Sequence, residues 1–245
     1  MASSTSENDR PKSGFPLKGG VQLLRALTPS QHAACCAVED SAFTTEAHRA
    51  THEKLAYRIS TPSAPSFGFF VPLQQGDSRY EFLTANIEKS RLDTLTTNVR
   101  RDDEDDGPVP YVLIAHLVST MGTAPVVEDK DMAFPQNWRD MGADDTSELG
   151  HQKGGRTVCL HSLAVIPEVQ GAGVGTAAVR EYMREMSDGE VGDRVALLCQ
   201  PELIGFYKKL GFEEKGESKA EFAGGNWTNM VAGIPKAENA PEVTQ

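Results

Sequence analysis

The sequence predicts an α/β protein, a central mixed β-sheet flanked by helices, and three observations carry that prediction. Residues 157–175, TVCLHSLAVIPEVQGAGVG, read as an apolar strand, a turn opened by Pro167 and a glycine-rich loop, and TAAVREYMREM continues as a helix. RVALLC at 194–199 is a short, nearly continuous apolar run, as expected of a buried parallel strand. Strand-like and helix-like segments alternate along the rest of the chain in the order β-α-α-β-β-β-α-β-α-β, with no internal repeat.

Order is expected to begin at Val21, with VQLLRAL as the first strand. Thr28-Pro29-Ser30-Gln31 is a helix start: Thr28 caps, Pro29 suits the first turn and Gln31 completes a capping box. That helix runs to Glu39 or Asp40 and buries Ala33, Ala34, Ala37 and Val38. A second helix spans Glu46 to Ile59, and Pro62 and Pro65 end it. FGFFVPL (67–73) and YVLIAHLVST (111–120) are strands, IGFYKKL is a short helix closed by Gly211, and NWTNMVAGI (226–234) is the last strand. Two long inserts interrupt a single domain over 19–235. The first ends in the acidic run Asp102–Asp106, read as a solvated loop. The second, 122–155, holds Met132, Phe134, Pro135 and Trp138 among charges and is read either as a lid or as a flexible excursion. Residues 1–18 and 236–245 have the low apolar content of disordered tails.

Composition narrows the classes of function. A net charge of −11 argues against nucleic acid or an anionic membrane as partner. No apolar run approaches the roughly 20 residues that cross a bilayer, and the polar start MASSTSENDRPKSG has no secretory pattern. Cys35, Cys36, Cys159 and Cys199 match no zinc spacing, so no metal is expected. Reduced thiols in a cytoplasmic, monomeric protein are the expectation.

The glycine-rich loop carries the chemistry. Gly171, Gly173 and Gly175 leave backbone N–H groups uncovered where the dipole of the following helix is positive, an arrangement that holds an anion such as a pyrophosphate. A dinucleotide-binding reading fits less well. The spacing is G-x-G-x-G rather than G-x-G-x-x-G, and no second βαβ half follows, although Glu190 lies about 20 residues on.

With these motifs the chain resembles the GCN5-related N-acetyltransferase (GNAT) superfamily over residues 20–234, most sharply over 157–212. The superfamily pattern Q/R-x-x-G-x-G/A is met by Gln170-Gly171-Ala172-Gly173-Val174-Gly175. The resemblance implies that this loop, with Thr176, holds the pyrophosphate of acetyl-CoA. It also implies that a bulged strand segment, Leu163, Ala164 and Val165, offers backbone to the pantetheine arm and acetyl group. HSLAV followed by this loop and FYKKLGF is similar to the serotonin (arylalkylamine) N-acetyltransferases and their fungal relatives, some of them described as polyamine acetyltransferases. That likeness implies a small-molecule amine acceptor, His161 as a water-mediated base and Tyr207 as the acid that protonates the departing thiolate. Those enzymes carry two histidines on this strand, and Cys159 stands in place of the first. Phe43, Pro62 and Phe67, with Cys159, are the matching candidates for the acceptor pocket.

The residue chemistry is compatible with those roles. Only a neutral amine attacks a thioester, and a histidine titrating near about 6.5 is a suitable base. Strand alternation places Cys159, His161 and Leu163 on one side and Leu160, Ser162 and Ala164 on the other. Tyr207 has a phenol whose ordinary pKa lies close to that of an alkyl thiol. Each has a plainer reading, as a core histidine, a core aromatic and a small buried thiol. His116 and His151 belong to no motif. An acyl-CoA-binding sensor without turnover is the alternative from outside enzymology.

Overall fold

The predicted apolar runs pair into one sheet. The computed structural model describes residues 14–17, 23–99, 109–142 and 146–236. In chain order these residues form β1 (Leu23–Ala26), α1 (His32–Ala42), α2 (His52–Ser60), β2 (Phe67–Pro72), α3 (Ser78–Asn86), α4 (Lys89–Leu95), β3 (Thr96–Val99), β4 (Val109–Gly122), α5 (Asp129–Met132), β5 (Thr157–Val165), α6 (Val174–Asp188), β6 (Arg194–Cys199), α7 (Ile204–Lys208), β7 (Glu213–Glu217) and β8 (Thr228–Gly233). The sheet order is β1-β2-β4-β5-β6-β8-β7, with β3 on the first part of β4. Only β5 and β6 run parallel among these neighbours; the other pairs are antiparallel.

Helices cover both faces. α1, α2 and α5 pack on one side of β4, and α6 lies across the other. α6 buries Val174, Ala178, Val179, Tyr182 and Met186, a stripe of helical period. Val174, Val179 and Met186 each contribute about 1.5–3 kcal/mol on leaving water. Tyr182 is fully buried because its hydroxyl is satisfied, by Ser119 Oγ at 2.7 Å and by donation to the Pro65 carbonyl at 2.8 Å. No helix among the described residues is long and apolar enough to cross a membrane.

Several expectations need correction. The first insert is not a plain polar excursion: residues 78–99 fold into α3, α4 and β3, with Leu83, Leu92 and Leu95 as their buried anchors. Its acidic run 102–106 lies outside the described residues. The second helix starts at His52, where Thr51 Oγ accepts from Lys54 N at 3.2 Å, and Glu46–His48 is a separate 3-10 turn. In α1 the buried face is turned from the predicted one: Cys35, Cys36 and Glu39 are inside, Ala33 is exposed and Ala37 half-buried. β7, all exposed and reading EEKGE, has no apolar alternation by which to predict it. Within the expected N-terminal tail, Phe15 is buried against the Phe82 ring, so structure begins before Val21; residues 1–13 and 237–245 lie outside the described residues.

Candidate active site

A break in strand pairing creates the site. β5 and β6 pair only from Thr157↔Arg194 to Leu160↔Leu197, whereas β5 continues to Val165. Leu163, Ala164 and Val165 therefore run past the last β5–β6 pair, and a wedge opens between the two strands. At its mouth, Gly175 faces Phe206 of α7 and Val165 of β5, so the start of α6, the end of β5 and α7 meet there.

The loop 170–176 lies at that mouth. Gly171 and Gly173 have φ of 76° and 89°, which side chains with a Cβ rarely adopt, and this explains both glycines. Gly173 is the N-cap of α6 and has no side chain with which to cap it, so the first N–H groups of the helix are left for a ligand. Gln170 Nε2 donates to the Val165 carbonyl at 2.8 Å and ties the loop to β5. Gly171 and Gly173 are exposed, Ala172, Gly175 and Thr176 half-buried, and Val174 anchors the turn in the core. A diphosphate fits these features: two glycines of positive φ, a helix start with no side-chain cap and no acidic residue in the first turn.

His161 stands at a β-bulge. Ser119 pairs with Leu160 and Val118 with Ser162, so His161 has no partner on β4. The bulge cancels the simple alternation of side chains. Cys159 pairs with Thr120 and Ser162 with Val118, two positions of β4 on one face. Cys159, His161 and Ser162 thus share the face of α1 and α2, and Leu163 does not join them. His161 Nε2 lies 2.7 Å from Thr120 Oγ and Nδ1 lies 3.2 Å from Met132 Sδ. Burial, then the Arg58 and Lys54 charges, hold the imidazole well below its ordinary value of 6.5, so it is neutral at pH 7.

Tyr207 lies on α7, just beyond the end of β6. Its ring packs edge-on against Phe206 and Phe212, and its hydroxyl makes no hydrogen bond among the described residues. Burial, then Cys199, raises the phenol above its ordinary value of 10, so it keeps its proton. The pair His161 and Tyr207 is thus divided between the two strands that splay. Cys159 is fully buried and packs with Val127, Met132 and Ala196. Burial, then Asp131, raises its thiol well above 9.0, which disfavours the thiolate a nucleophile needs.

The aromatic side chains on the histidine's face of the sheet are mostly other than the expected ones. Phe67 pairs with Leu117 and packs its ring on Tyr182 of α6, on the sheet face opposite His161. It is not placed to meet an acceptor there. Pro62 is exposed in the turn after α2, and Phe43 packs on the main core at the end of α1. The rings near the histidine's side come from α2 and from the second insert: Tyr57 stacks on Phe134 at 5.6 Å, and Trp138 meets Tyr57 edge-on at 5.8 Å. The described residues of that insert pack as a wall. Arg58 Nη2 donates to the Met132 carbonyl at 3.2 Å, Trp138 Nε1 to Glu53 at 2.8 Å and Gly150 N to the Lys130 carbonyl at 2.8 Å. Asp129 of α5 accepts from the Glu221 and Phe222 N–H groups, joining the wall to the β7–β8 connection.

Sequence reasoning did not single out Glu39, Arg58, Thr120 or Met132 as neighbours of this strand, and it left His116 without a motif, as a structural or exposed histidine. Glu39 is buried and accepts from Ala50 N at 2.6 Å and Ser162 Oγ at 2.7 Å, and pairs with His116 Nε2 at 2.9 Å. Desolvation would raise this carboxyl, but the His116, Ser162 and Ala50 hydrogen bonds outweigh it and hold it below 4.5. A charge inside the apolar period of α1 was the available signal. Among the described residues no group of three or more His, Cys, Asp or Glu is placed to hold a metal.

The profile of the Acetyltransferase (GNAT) family matches residues 83–212, over half of the chain. The chain belongs to the GNAT family. A 66-residue stretch of this GNAT chain, 27% of its length, is 35% identical to the serotonin N-acetyltransferase of Mesocricetus auratus and covers 32% of that protein. The chain spans about a third of the length of the curated relatives it matches. The GNATL loading domain of CurA from Lyngbya majuscula superposes with a TM-score of 0.54 at 10% identity, over 88% of this chain and 98% of that one. The GNAT-like decarboxylase GphF, solved with isobutyryl-CoA, gives 0.54 at 13% identity, over 87% and 100%. Both likenesses show the fold: a GNAT sheet with helices on its two faces.

Proposed function

We propose that this GNAT chain is an acetyl-CoA-dependent N-acetyltransferase acting on the primary amine of an arylalkylamine, by direct attack in a ternary complex. The observation that carries the reading is His161, a histidine held neutral, at the bulge where β5 leaves β6, on the strand that leads into the glycine cradle. The local match to a serotonin N-acetyltransferase supports the acceptor class.

Acetyl-CoA, when bound, supplies the activated acyl group. The first-turn N–H groups of α6 and the 170–176 loop would hold its diphosphate, and Leu163, Ala164 and Val165 would face its arm along the edge that β6 has left, with the Val165 carbonyl already held by Gln170. His161 would take the amine's proton through water, with Met132 giving way at Nδ1. Tyr207, kept protonated by burial, would return a proton to the leaving thiolate. Cys159 replaces the first of the family's two histidines, so one imidazole does this work here. A polyamine would bring added positive charge toward Lys54 and Arg58, which makes that acceptor the weaker candidate.

Thiol release from acetyl-CoA with tryptamine and phenethylamine tests the reading. His161→Gln is expected to lower kcat by about 10²-fold. The deficit is expected to shrink from pH 6 to 9.5, as more amine is neutral without help. A deficit constant across that range makes His161 structural. CoA binding with no thiol release from any amine favours the sensor.

A further inference from the structure

In a chain of net charge −11, two cations, Arg58 and Lys54, act on His161, and among the described residues neither has an ion pair. Arg58 is 2% exposed, and its guanidinium makes one hydrogen bond, the one to the Met132 carbonyl. Lys54 lies one turn earlier on the same helix face, its Nζ 4.7 Å above the Phe222 ring. Among the described residues no carboxylate comes within ion-pair distance of either. Of the acids nearby, Glu39 has both oxygens filled by Ala50, Ser162 and His116, and Asp131 accepts from Glu128 N at Oδ2 while its buried Oδ1, beside Gly122, has no hydrogen-bond partner among the described residues.

Arg58 feels the charge of Glu39, yet its nitrogens without a protein partner keep a solvent-reachable edge, so a mostly buried guanidinium with one protein hydrogen bond has donors to offer an incoming anion. Met132 ties it to the chemistry, holding Arg58 by its carbonyl and His161 Nδ1 by its thioether. The rings of Tyr57 and Phe134 on one side, and of Phe222 and Trp227, stacked at 6.0 Å, on the other, flank this helix face. A planar guanidinium matches a carboxylate with two parallel hydrogen bonds.

We propose that Arg58, assisted by Lys54, receives an anionic group carried by the acceptor, so that the preferred acceptors are aromatic amines bearing an acid on the same skeleton, aromatic amino acids being the simplest. The turnover part of this proposal rests on the acetyl-transfer reading; the binding part does not.

Tryptophan and tryptamine differ by the carboxylate alone. In wild-type protein, kcat/KM for L-tryptophan is expected to exceed that for tryptamine by tenfold or more. Arg58→Gln is expected to collapse that ratio at least tenfold, mainly through the KM for tryptophan, and Arg58→Lys to fall between. In CoA-saturated protein, L-tryptophan is expected to raise the Tm of wild type and not of Arg58→Gln. The wild-type ranking needs no variant to fold: tryptamine preferred over tryptophan overturns the proposal. Equal losses for both acceptors in Arg58→Gln also overturn it, since Arg58 would then serve the acyl centre. Thiol release with tryptamine but not tryptophan keeps acetyl transfer and rejects the anion site. Arg58-dependent tryptophan binding without thiol release from any amine keeps the anion site and rejects acetyl transfer.

Discussion

Replacing Glu39 by Ala removes the acceptor of three buried donors at once: Ala50 N at 2.6 Å, Ser162 Oγ at 2.7 Å and His116 Nε2 at 2.9 Å. His116 is 0% exposed and Ser162 4%, so water cannot stand in for the lost carboxylate without opening the interface between α1 and the sheet. Hydrogen bonds to a charged group contribute about 1.5–3 kcal/mol each. Relief from desolvating the carboxylate offsets part of that sum. Breaking one partner out of a buried charged cluster costs about 3–5 kcal/mol, and that is the expected loss here. Urea unfolding of wild type and variant, followed by far-UV circular dichroism with equal m-values, measures it. A loss under about 1 kcal/mol refutes the reasoning, because the 3.3 Å contact between His116 Nε2 and Ser162 Oγ, with a shift at Ala50, would then suffice to satisfy these donors. The pH dependence gives a second check. Glu39 titrates below its ordinary 4.5 when folded, so its contribution is complete above that value and lost as pH falls through the folded pKa. Glu39→Gln, with no carboxylate to protonate, is expected to flatten the acid limb of stability against pH.

Two further predictions concern the cradle and the acid. Gly175→Asp introduces a carboxylate at the first turn of α6, where a Cβ would make ordinary contacts at 3.7 Å with Phe206 and Val165. The helix gains from it through its dipole while a diphosphate is repelled. Tm is therefore expected to hold while acetyl-CoA affinity falls at least tenfold, or about 1.4 kcal/mol, by calorimetry; unchanged affinity removes the cradle. Tyr207→Phe keeps the packing on Phe206 and Phe212 and removes only the unpartnered hydroxyl. kcat is expected to fall more than acetyl-CoA affinity, and a wild-type kcat assigns the proton to another donor.

The sequence alone determined the strand–loop–helix unit over 157–188 and the strand at 194–199, because these depend on local chemistry. Apolar runs select strands, positive φ selects Gly171 and Gly173, and the helix start follows from both. Tertiary structure decided which side chains gather at the wedge. Alternation assumes an unbroken pleat, and the bulge at His161 puts Cys159, His161 and Ser162 on one face, a result visible only in the pairing with β4. Phe67 was legible as a strand aromatic, but the antiparallel register with Leu117 turns it toward α6. Glu39, Arg58 and Met132 could not be assembled from sequence. A charged residue in an apolar helical period reads as surface, and the burial of Glu39 depends on donors as far away as Ser162, 123 positions along the chain. Arg58 is different in kind. Its burial, with no ion pair among the described residues, follows from how α2 and the second insert pack together, and local pattern has no means of specifying that.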